Sequence, residues 1–255
     1  MGWLIFRLEL LGDFWLFSWD LFKKSFLSPI KVIANSTREI AKQIYRIGIE
    51  SLPIVFLISG FIGMILAIQT AYQLEKFGAT AYVSSLVTVS VVRELGPLLT
   101  AILISGRIGA GITAELGSMV VNEEITAYET MAIDPKEFLL VPRFVALVVS
   151  LPILTLFADI LAFLGGMLIS GAFLAIPVNQ YYSVGMEALI IKDVATGLFK
   201  SVVFGFIIAL IACYKGFRVR GGAVAVGTST TQTVVHSIVW IIVADLFLTF
   251  SLYFL

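Results

Sequence analysis

The sequence predicts an all-α integral membrane protein: an N-terminal interfacial amphipathic helix and elbow, then five transmembrane helices, with a short cytoplasmic helix between spans 2 and 3. Two observations predict this fold class. Of the 255 residues, 59% are hydrophobic and 13% are charged, and charge this dilute cannot cover a surface that faces water. The apolar residues also gather into runs long enough to cross a bilayer, so lipid is the expected solvent for most of the chain.

Residues 1–50 are predicted to lie in the membrane interface and then enter the first span, whereas residues 51–255 form the spanning domain. One stripe of the first helix is apolar: Trp3, Phe6, Leu10, Phe14, Phe17 and Leu21. The opposite stripe is charged: Glu9, Asp13, Asp20 and Lys24. This division is typical of a helix that lies on a bilayer surface. Basic residues between positions 31 and 46 form the elbow.

Five apolar runs are candidates for spans: residues 51–74, 86–121, 144–174, 194–214 and 233–255. The first would be roughly 36 Å long as a helix, which exceeds a hydrocarbon core of about 30 Å. The second is too long for one straight crossing, and Pro97 is a candidate for a kink. Because the number of spans is odd, the two ends of this domain are expected on opposite sides.

Basic residues predict which side is cytoplasmic. They are concentrated before the first span and in the loops between spans 2 and 3 and between spans 4 and 5, whereas the opposite loops contain only Lys76 and Lys192. By the positive-inside rule, the N-terminus and the loop at 122–143 are cytoplasmic and the C-terminus is outside.

Small residues form two rows on span 2 and predict close packing against other helices. The first row contains Gly106, Ala110, Ala114 and Ser118. The second contains Ala101, Ser105, Gly109, Thr113 and Gly117. Span 2 is therefore expected to be a central helix enclosed by protein.

Several classes of site are excluded by composition and spacing. A single Cys213 and a single His236 leave no disulfide framework and no Cys/His metal cluster, and the zero net charge offers no basic field for nucleic acid. The glycines near 106–111 and 197–201 lack nucleotide-loop spacing, so we expect no cofactor and no ATP hydrolysis in this chain. His236 and Asp245 face opposite ways on one helix, which leaves no hydrolase constellation.

Ionisable residues inside the spans are the strongest functional signal, because each is costly in lipid and normally faces a protein interior or a wet cavity. Counting along the spans places five of them in the outer half of the membrane: Arg93, Glu94, Asp159, Lys200 and Asp245. Two interpretations remain open. The charges form a buried structural salt-bridge network, or they border a polar, partly hydrated cavity that suits the headgroup of an amphiphile.

The loop between spans 2 and 3 predicts a short cytoplasmic helix, within residues 122–134, that ends at Asp134 and Pro135. Its apolar face would contain Ile125, Tyr128, Met131 and Ala132. Its acidic flanks are Glu123, Glu124 and Glu129, which anionic lipid would repel. Docking to a cytoplasmic partner is therefore favoured over resting on headgroups.

Several ordered motifs resemble the MlaE/YrbE permease family of Mce-type lipid ABC transporters, and the resemblance covers nearly the whole chain. They are VRELGPLLT at 92–100, SGRIGA at 105–110, TAELG at 113–117, the loop at 124–135, PRF at 142–144, KSVVF at 200–204 and TTQTVVHS at 230–237. The resemblance implies a homodimeric permease in the inner membrane with a periplasmic C-terminus. Its implied partners are two cytoplasmic ATPase subunits that bind ATP and Mg, a small accessory protein on the ATPase, and a periplasmic Mce-domain ring.

The same resemblance implies roles for individual residues. By position, the lipid cavity would be lined by Arg93, Glu94, Lys200, Asp245, Gln69, Tyr72, Leu74 and Phe77. The coupling helix to the ATPase would contain Glu123, Glu124, Ile125, Tyr128, Glu129 and Met131. The implied function is ATP-driven transport of phospholipids or related lipids, by a chain that is not itself an enzyme.

Two other functions are alternatives. An ion-driven or proton-coupled transporter of an amphiphile would use Glu94 or Asp245 as its proton site, but the sequence has no internal inverted repeat. A lipid-modifying enzyme in the membrane is disfavoured because no catalytic constellation is present.

Overall fold

The computed structural model describes residues 12–13, 15–21, 23–24 and 29–254, and within these residues every regular element is a helix. Five helices are long and apolar enough to cross a membrane: span 1 at Thr37–Glu75, span 2 at Thr80–Val121, span 3 at Lys136–Phe173, span 4 at Ile191–Phe217 and span 5 at Ala223–Leu252. The predicted all-α membrane fold with five spans is therefore confirmed.

Span 1 continues a helix that begins well before the membrane run. The helix Pro29–Gly48 leads through a 3-10 turn at Ile49–Ser51 into the helix Leu52–Glu75. Gly78 ends the span in the left-handed region at φ 64°, and the N–H of Ala79 donates to the carbonyl of Leu74 at 3.0 Å. This bonding pattern is a common helix stop, since glycine adopts positive φ without strain.

Span 2 is divided by two π-helical turns. Its pieces are a 3-10 turn at Thr80–Tyr82, α-helix Val83–Ser90, π-helix Val91–Leu95, α-helix Gly96–Ile104, π-helix Ser105–Gly109 and α-helix Ala110–Val121. The first π turn ends two residues before Pro97, where it accommodates a ring that cannot donate a backbone hydrogen bond and that crowds the preceding turn. The expected distortion at Pro97 therefore takes the form of a π turn.

Span 3 begins with a π turn at Lys136–Leu140 and continues as the α-helix Val141–Phe173, and span 4 is the helix Ile191–Phe217. The helix of span 5, Ala223–Phe254, begins ten residues before the predicted run at 233. Threonine hydroxyls near its start donate to carbonyls three or four residues earlier, as Thr228 does to Val224 at 2.7 Å and Thr233 to Ser229 at 2.9 Å. These bonds satisfy the hydroxyls inside a helix and allow the polar stretch to remain helical.

Two shorter helices lie between the spans. The predicted loop helix is present at Glu124–Thr130, whereas a second helix, Val178–Ala188, was not predicted. This second helix buries Tyr181 and Gly185, one turn apart, and the Tyr181 ring lies 5.5 Å from that of Phe163. Its other side is mostly polar and exposed, so it gives no apolar run in the sequence.

The chain divides into two compact units, each built from three segments. Unit 1 contains residues 1–47, 105–149 and 206–240, and unit 2 contains residues 48–104, 150–205 and 241–255. In unit 1 the rings of Phe144 and Phe206 meet edge to face at 5.3 Å, and Glu115 pairs with both Arg46 and Arg143. The predicted division of the chain at residue 50 stays a prediction.

The described part of the N-terminal segment is helical and packs within unit 1. Phe17 and Leu21, from the predicted apolar stripe, are buried, and the Phe17 ring lies 5.4 Å from that of Tyr214. Trp15, Leu16 and Trp19 are exposed instead. The remaining members of the stripe, Trp3, Phe6, Leu10 and Phe14, lie outside the described residues, and the interfacial placement stays a prediction.

In unit 2, spans 1 and 3 approach each other closely. A Cβ added to Gly63 would lie 1.9 Å from the carbonyl oxygen of Ala162, and one added to Gly165 would lie 2.2 Å from that of Gly60. Backbone therefore packs directly against backbone. Beside this contact lies a core of Ala67, Ala71, Val83, Val87, Val91, Ala162, Ile176 and Tyr181.

The two small-residue rows of span 2 have different surroundings. The row from Ala101 to Gly117 is buried, and a Cβ added to Gly109 would lie 3.2 Å from Ile208. By contrast, Gly106 is exposed and its Cβ position has no atom within 4 Å, while Ala110 and Ala114 are only partly buried. Within the chain, close packing therefore uses Gly109 and leaves the Gly106 row open.

Candidate functional site

A polar cluster in unit 2 consists of Glu94, Lys200, Asp245 and Thr249. The Lys200 ammonium is completely buried, lies 2.5 Å from Glu94 Oε2 and 3.0 Å from Asp245 Oδ1, and donates to Thr249 Oγ1 at 2.6 Å. Thr249 in turn donates to Glu94 Oε1 at 3.1 Å. The cluster is thus a connected network in which one base lies between two acids.

Three spans supply this cluster. Glu94 belongs to the π turn of span 2, Lys200 to span 4, and Asp245 and Thr249 to successive turns of span 5. Sequence reasoning brought Glu94, Lys200 and Asp245 together by depth, and the structure confirms that they meet. It missed Thr249, whose spacing of four residues from Asp245 places both on one face of the helix.

Arg93 and Asp159, which were expected in the same group, have other surroundings. The Nε of Arg93 donates to Asp193 Oδ1 at 2.7 Å, and Asp193 is buried. Asp159 is nearly buried, and its Oδ1 lies 1.8 Å from the position that a Cβ on Gly96 would take. Among the described residues, that oxygen has no hydrogen-bond partner. Arg93 and Glu94 are adjacent on a helix, so their side chains diverge toward different partners.

A pocket in unit 2, here called the span 1 pocket, has a volume of about 380 Å³. It is lined by Gln69, Thr70, Tyr72, Gln73, Leu74 and Leu86. Of the eight residues predicted to line the lipid cavity, Gln69, Tyr72 and Leu74 line this pocket, whereas Phe77 is 81% exposed just beyond the end of span 1 and does not. The charged residues Glu94, Lys200 and Asp245 do not line it either, so the residues predicted for one cavity lie at two separate places in this unit, and their role in binding lipid stays a prediction.

The loop helix Glu124–Thr130 rests on unit 1 through part of its apolar face. Ile125 is buried, and the Tyr128 ring lies 5.5 Å from that of Phe138. Met131, by contrast, is 60% exposed, and Glu124 and Glu129 are also exposed. Ile125 therefore packs against its own chain and anchors this seven-residue helix, and the coupling role of the helix stays a prediction.

The ends of the loop helix have a special backbone. Glu123 precedes the helix at φ 59°, and Ala132 follows it at φ 58°. Both residues lie in the left-handed region, which side chains with a Cβ adopt at a cost. Glu123 therefore precedes the first helical turn rather than belonging to it.

Ion pairs hold the N-terminal segment against two loops, the one that follows this helix and the one between spans 4 and 5. Asp20 accepts from Lys136 at 2.8 Å, Asp13 accepts from Arg218 at 2.8 Å, and Lys24 contacts Asp134. Partial burial alone would raise the pKa of Asp134, but Lys24 and two backbone N–H groups outweigh it and lower that pKa below its ordinary value. The hydrogen bond from Arg218 to Asp13 raises the pKa of Arg218.

Comparisons with known proteins identify a family. The family model described as Permease MlaE matches residues 40–251. A probable ABC transporter permease protein of Rickettsia typhi is 37% identical over 210 residues, covering 82% of this chain and 81% of that protein. A probable ABC transporter permease protein of Synechocystis is 38% identical over 216 residues, covering 85% and 82%. The intermembrane phospholipid transport system permease protein MlaE of Haemophilus influenzae is 34% identical over 211 residues, covering 82% and 81%.

Proposed function

Since the chain belongs to the MlaE permease family, we propose that it is the transmembrane subunit of an ABC transporter that moves phospholipids between the inner membrane and a periplasmic Mce-domain partner. The names of its relatives support the transporter class, because two are called ABC transporter permeases and a third is a phospholipid transport permease. ATP and Mg bind to a separate ATPase subunit, and this chain supplies the membrane path.

The proposed assembly is a homodimer with two cytoplasmic ATPase subunits, a small accessory protein on the ATPase, and an Mce-domain ring in the periplasm. The N-terminus and the loop helix face the cytoplasm, and the C-terminus faces the periplasm. The distribution of basic residues along the sequence supports this orientation.

The geometry of the loop helix supports the proposal that a partner protein drives transport. It is fixed to its own chain by Ile125 and Tyr128, so a push on its outer side is transmitted to span 3 through the segment at 131–136. Its outer side presents Glu124, Glu129 and Met131. A short helix with one apolar side chain between acidic flanks suits a groove with a basic rim on a soluble partner.

The first prediction tests this contact. Reversing Glu124 and Glu129 together to Lys should weaken ATPase binding on the order of tenfold or more, because the new charges repel a basic rim. The measurement is the amount of ATPase that co-purifies with the permease from native membranes, together with ATP-dependent lipid transfer in vesicles.

The matched control is Glu187→Lys, which reverses an exposed acid on the helix Val178–Ala188 instead. It should leave both readouts unchanged. Full ATPase co-purification and full transport by the double variant would remove the loop helix from the mechanism. Transport that runs on a proton gradient without any ATPase would instead support the secondary-transporter alternative.

A further inference from the structure

The span 1 pocket is polar but uncharged. Its polar lining consists of the amides of Gln69 and Gln73, the hydroxyl of Thr70 and the phenol of Tyr72, while Leu74 and Leu86 supply apolar surface. Its volume of about 380 Å³ falls within the range of small-molecule sites. A lining of this kind binds neutral polar groups through hydrogen bonds and does not by itself attract a charge.

The pocket lies at the end of a span, where the headgroup region is expected. Span 1 ends at Glu75, and the aromatic side chains of Tyr72, Phe77 and Tyr82 near this end are all exposed. Exposed aromatic residues are enriched at the level of lipid headgroups. A lipid in this pocket would therefore present its headgroup end, rather than its chain ends, to the amide and hydroxyl groups.

The side chain of Lys76 lies beside the pocket. The ammonium of Lys76 lies 4.5 Å from the ring centroid of Tyr72, a lining residue. At about 100° per residue, Lys76 shares a face of the helix with Gln69, Tyr72 and Gln73, whereas Glu75 points about 100° away from it. The Tyr72 ring holds the ammonium by a cation–π contact and leaves its positive charge next to the polar lining.

The other bases of unit 2 are placed elsewhere. They are Arg93, Lys192 and Lys200. Arg93 pairs with Asp193, and Lys200 is buried between Glu94 and Asp245. Lys192 lies in the first turn of span 4, and no residue of that span lines the pocket. The polar cluster contributes one base and two acids, so it does not attract a phosphate.

We propose that Lys76 makes the span 1 pocket select phospholipids whose headgroup carries a net negative charge, through contact between its ammonium and the lipid phosphate. This inference rests on the proposed function in that the ligand is a phospholipid. A zwitterionic headgroup brings its own ammonium close to Lys76, and the two like charges repel. An anionic headgroup such as phosphoglycerol lacks that repulsion, and its hydroxyl groups can bond to the amides of Gln69 and Gln73.

The test measures lipid selection by the whole 255-residue chain. The wild type, Lys76→Gln, Lys76→Arg and Lys192→Gln are purified in detergent and equilibrated with vesicles of equal phosphatidylglycerol and phosphatidylethanolamine that have the same acyl chains. The bound lipids are then extracted and quantified. The wild type should enrich phosphatidylglycerol about three- to five-fold, the size expected of one exposed ion pair.

Lys76→Gln should lower this enrichment to about one, while Lys76→Arg and the control Lys192→Gln should retain it. Adding salt to about 0.5 M should reduce the enrichment of the wild type, because the contact is exposed to solvent. Since Lys76 lies exposed beyond the last turn of the helix, its replacement leaves the fold intact. Thermal unfolding of each variant checks this.

The outcomes separate this inference from the proposed function. If Lys76→Gln binds lipid with unchanged enrichment, or if Lys192→Gln loses the enrichment equally, selection by Lys76 is overturned while lipid transport still stands. If the wild type retains no phospholipid above the level of an unrelated membrane protein, the proposed function fails along with it.

Discussion

Lys200 is the residue on which the polar cluster depends. It is fully buried, and its ammonium is shared by Glu94 and Asp245, whose side chains remain partly exposed. Removing the base leaves two acids close together without a counter-charge, whereas removing Glu94 still leaves Lys200 paired with Asp245 and Thr249. Removing Lys200 should therefore lower the free energy of unfolding more than removing Glu94 does.

The second prediction follows from this asymmetry. Lys200→Met should destabilise the protein by about 3 kcal/mol, near the lower end of the cost of breaking a buried pair, because the acids retain some water. Glu94→Gln should cost clearly less, and combining the two should restore part of the loss by relieving the repulsion between the acids. Thermal unfolding in detergent measures all three, with Lys192→Met as the control at an exposed site.

Transport assays on the same variants separate the two interpretations of the cluster. A structural network predicts that Lys200→Met loses stability and transport together. Normal stability of every single variant, with transport lost, would contradict the network and would indicate that the charges border a hydrated cavity.

Part of the site could be predicted from single residues. Depth along the spans was enough to associate Glu94, Lys200 and Asp245, since a charge inside lipid must find a partner at its own level. The pairing of Arg93 with Asp193 could not be predicted, because Asp193 lies at the end of a span, where a charge needs no partner. Contacts such as Lys136 with Asp20 depend on how distant segments fold together, which depth does not reveal.

At the scale of the helices, spans 1 and 3 meet backbone to backbone. The third prediction is that Gly63→Ala destabilises the protein by about 1–3 kcal/mol or more, because the new methyl group would meet the carbonyl of Ala162 and push the helices apart. Gly60→Ala is the matched control, since it lies on the same helix and its Cβ position has no atom within 4 Å. If Gly60→Ala unfolds at a lower temperature than Gly63→Ala, the prediction that the contact at Gly63 limits stability is contradicted.

Long apolar runs made the spans predictable, because a helix is one of the few structures that satisfy all the backbone hydrogen bonds of such a run inside lipid. The π turns of span 2 were not predictable in this way, since they change the hydrogen bonding without changing the composition. The row of Gly63, Ala67 and Ala71 on span 1 carries the same small-residue signal that was recognised on span 2. Its burial shows that this signal could have located the contact with span 3.

At the scale of the whole molecule, the spans differ in how much apolar surface the chain itself covers. In spans 2, 3 and 4, at least half of the most apolar window is buried, compared with 22% in span 1 and 17% in span 5. The exposed residues of span 5 include Trp240, Leu246, Phe247 and Phe250. Such surface faces lipid or a second copy of the chain, which is consistent with the proposed homodimer.

The fourth prediction separates assembly from folding on span 2. Gly109→Leu should reduce folding yield, because the added side chain collides with Ile208 inside the same chain, so this variant does not test the dimer. Gly106→Leu should instead fold normally and lower the fraction of dimer, since its side chain enters open space on the unpacked row. Gly111→Leu is the control, because its Cβ position is also open but lies about 140° around the helix from Gly106.

The measurement is the molar mass of each purified variant in detergent by light scattering, with ATP-dependent lipid transfer as the second readout. If the Gly106 row packs against a partner chain, Gly106→Leu loses both the dimer and transport, while Gly111→Leu retains both. This outcome requires the bulky side chain to act across an interface, because no described atom of the chain lies within 4 Å of the Cβ position at either residue. A stable, fully active dimer of Gly106→Leu would place the homodimer contact elsewhere, and the exposed face of span 5 would then be the surface to test.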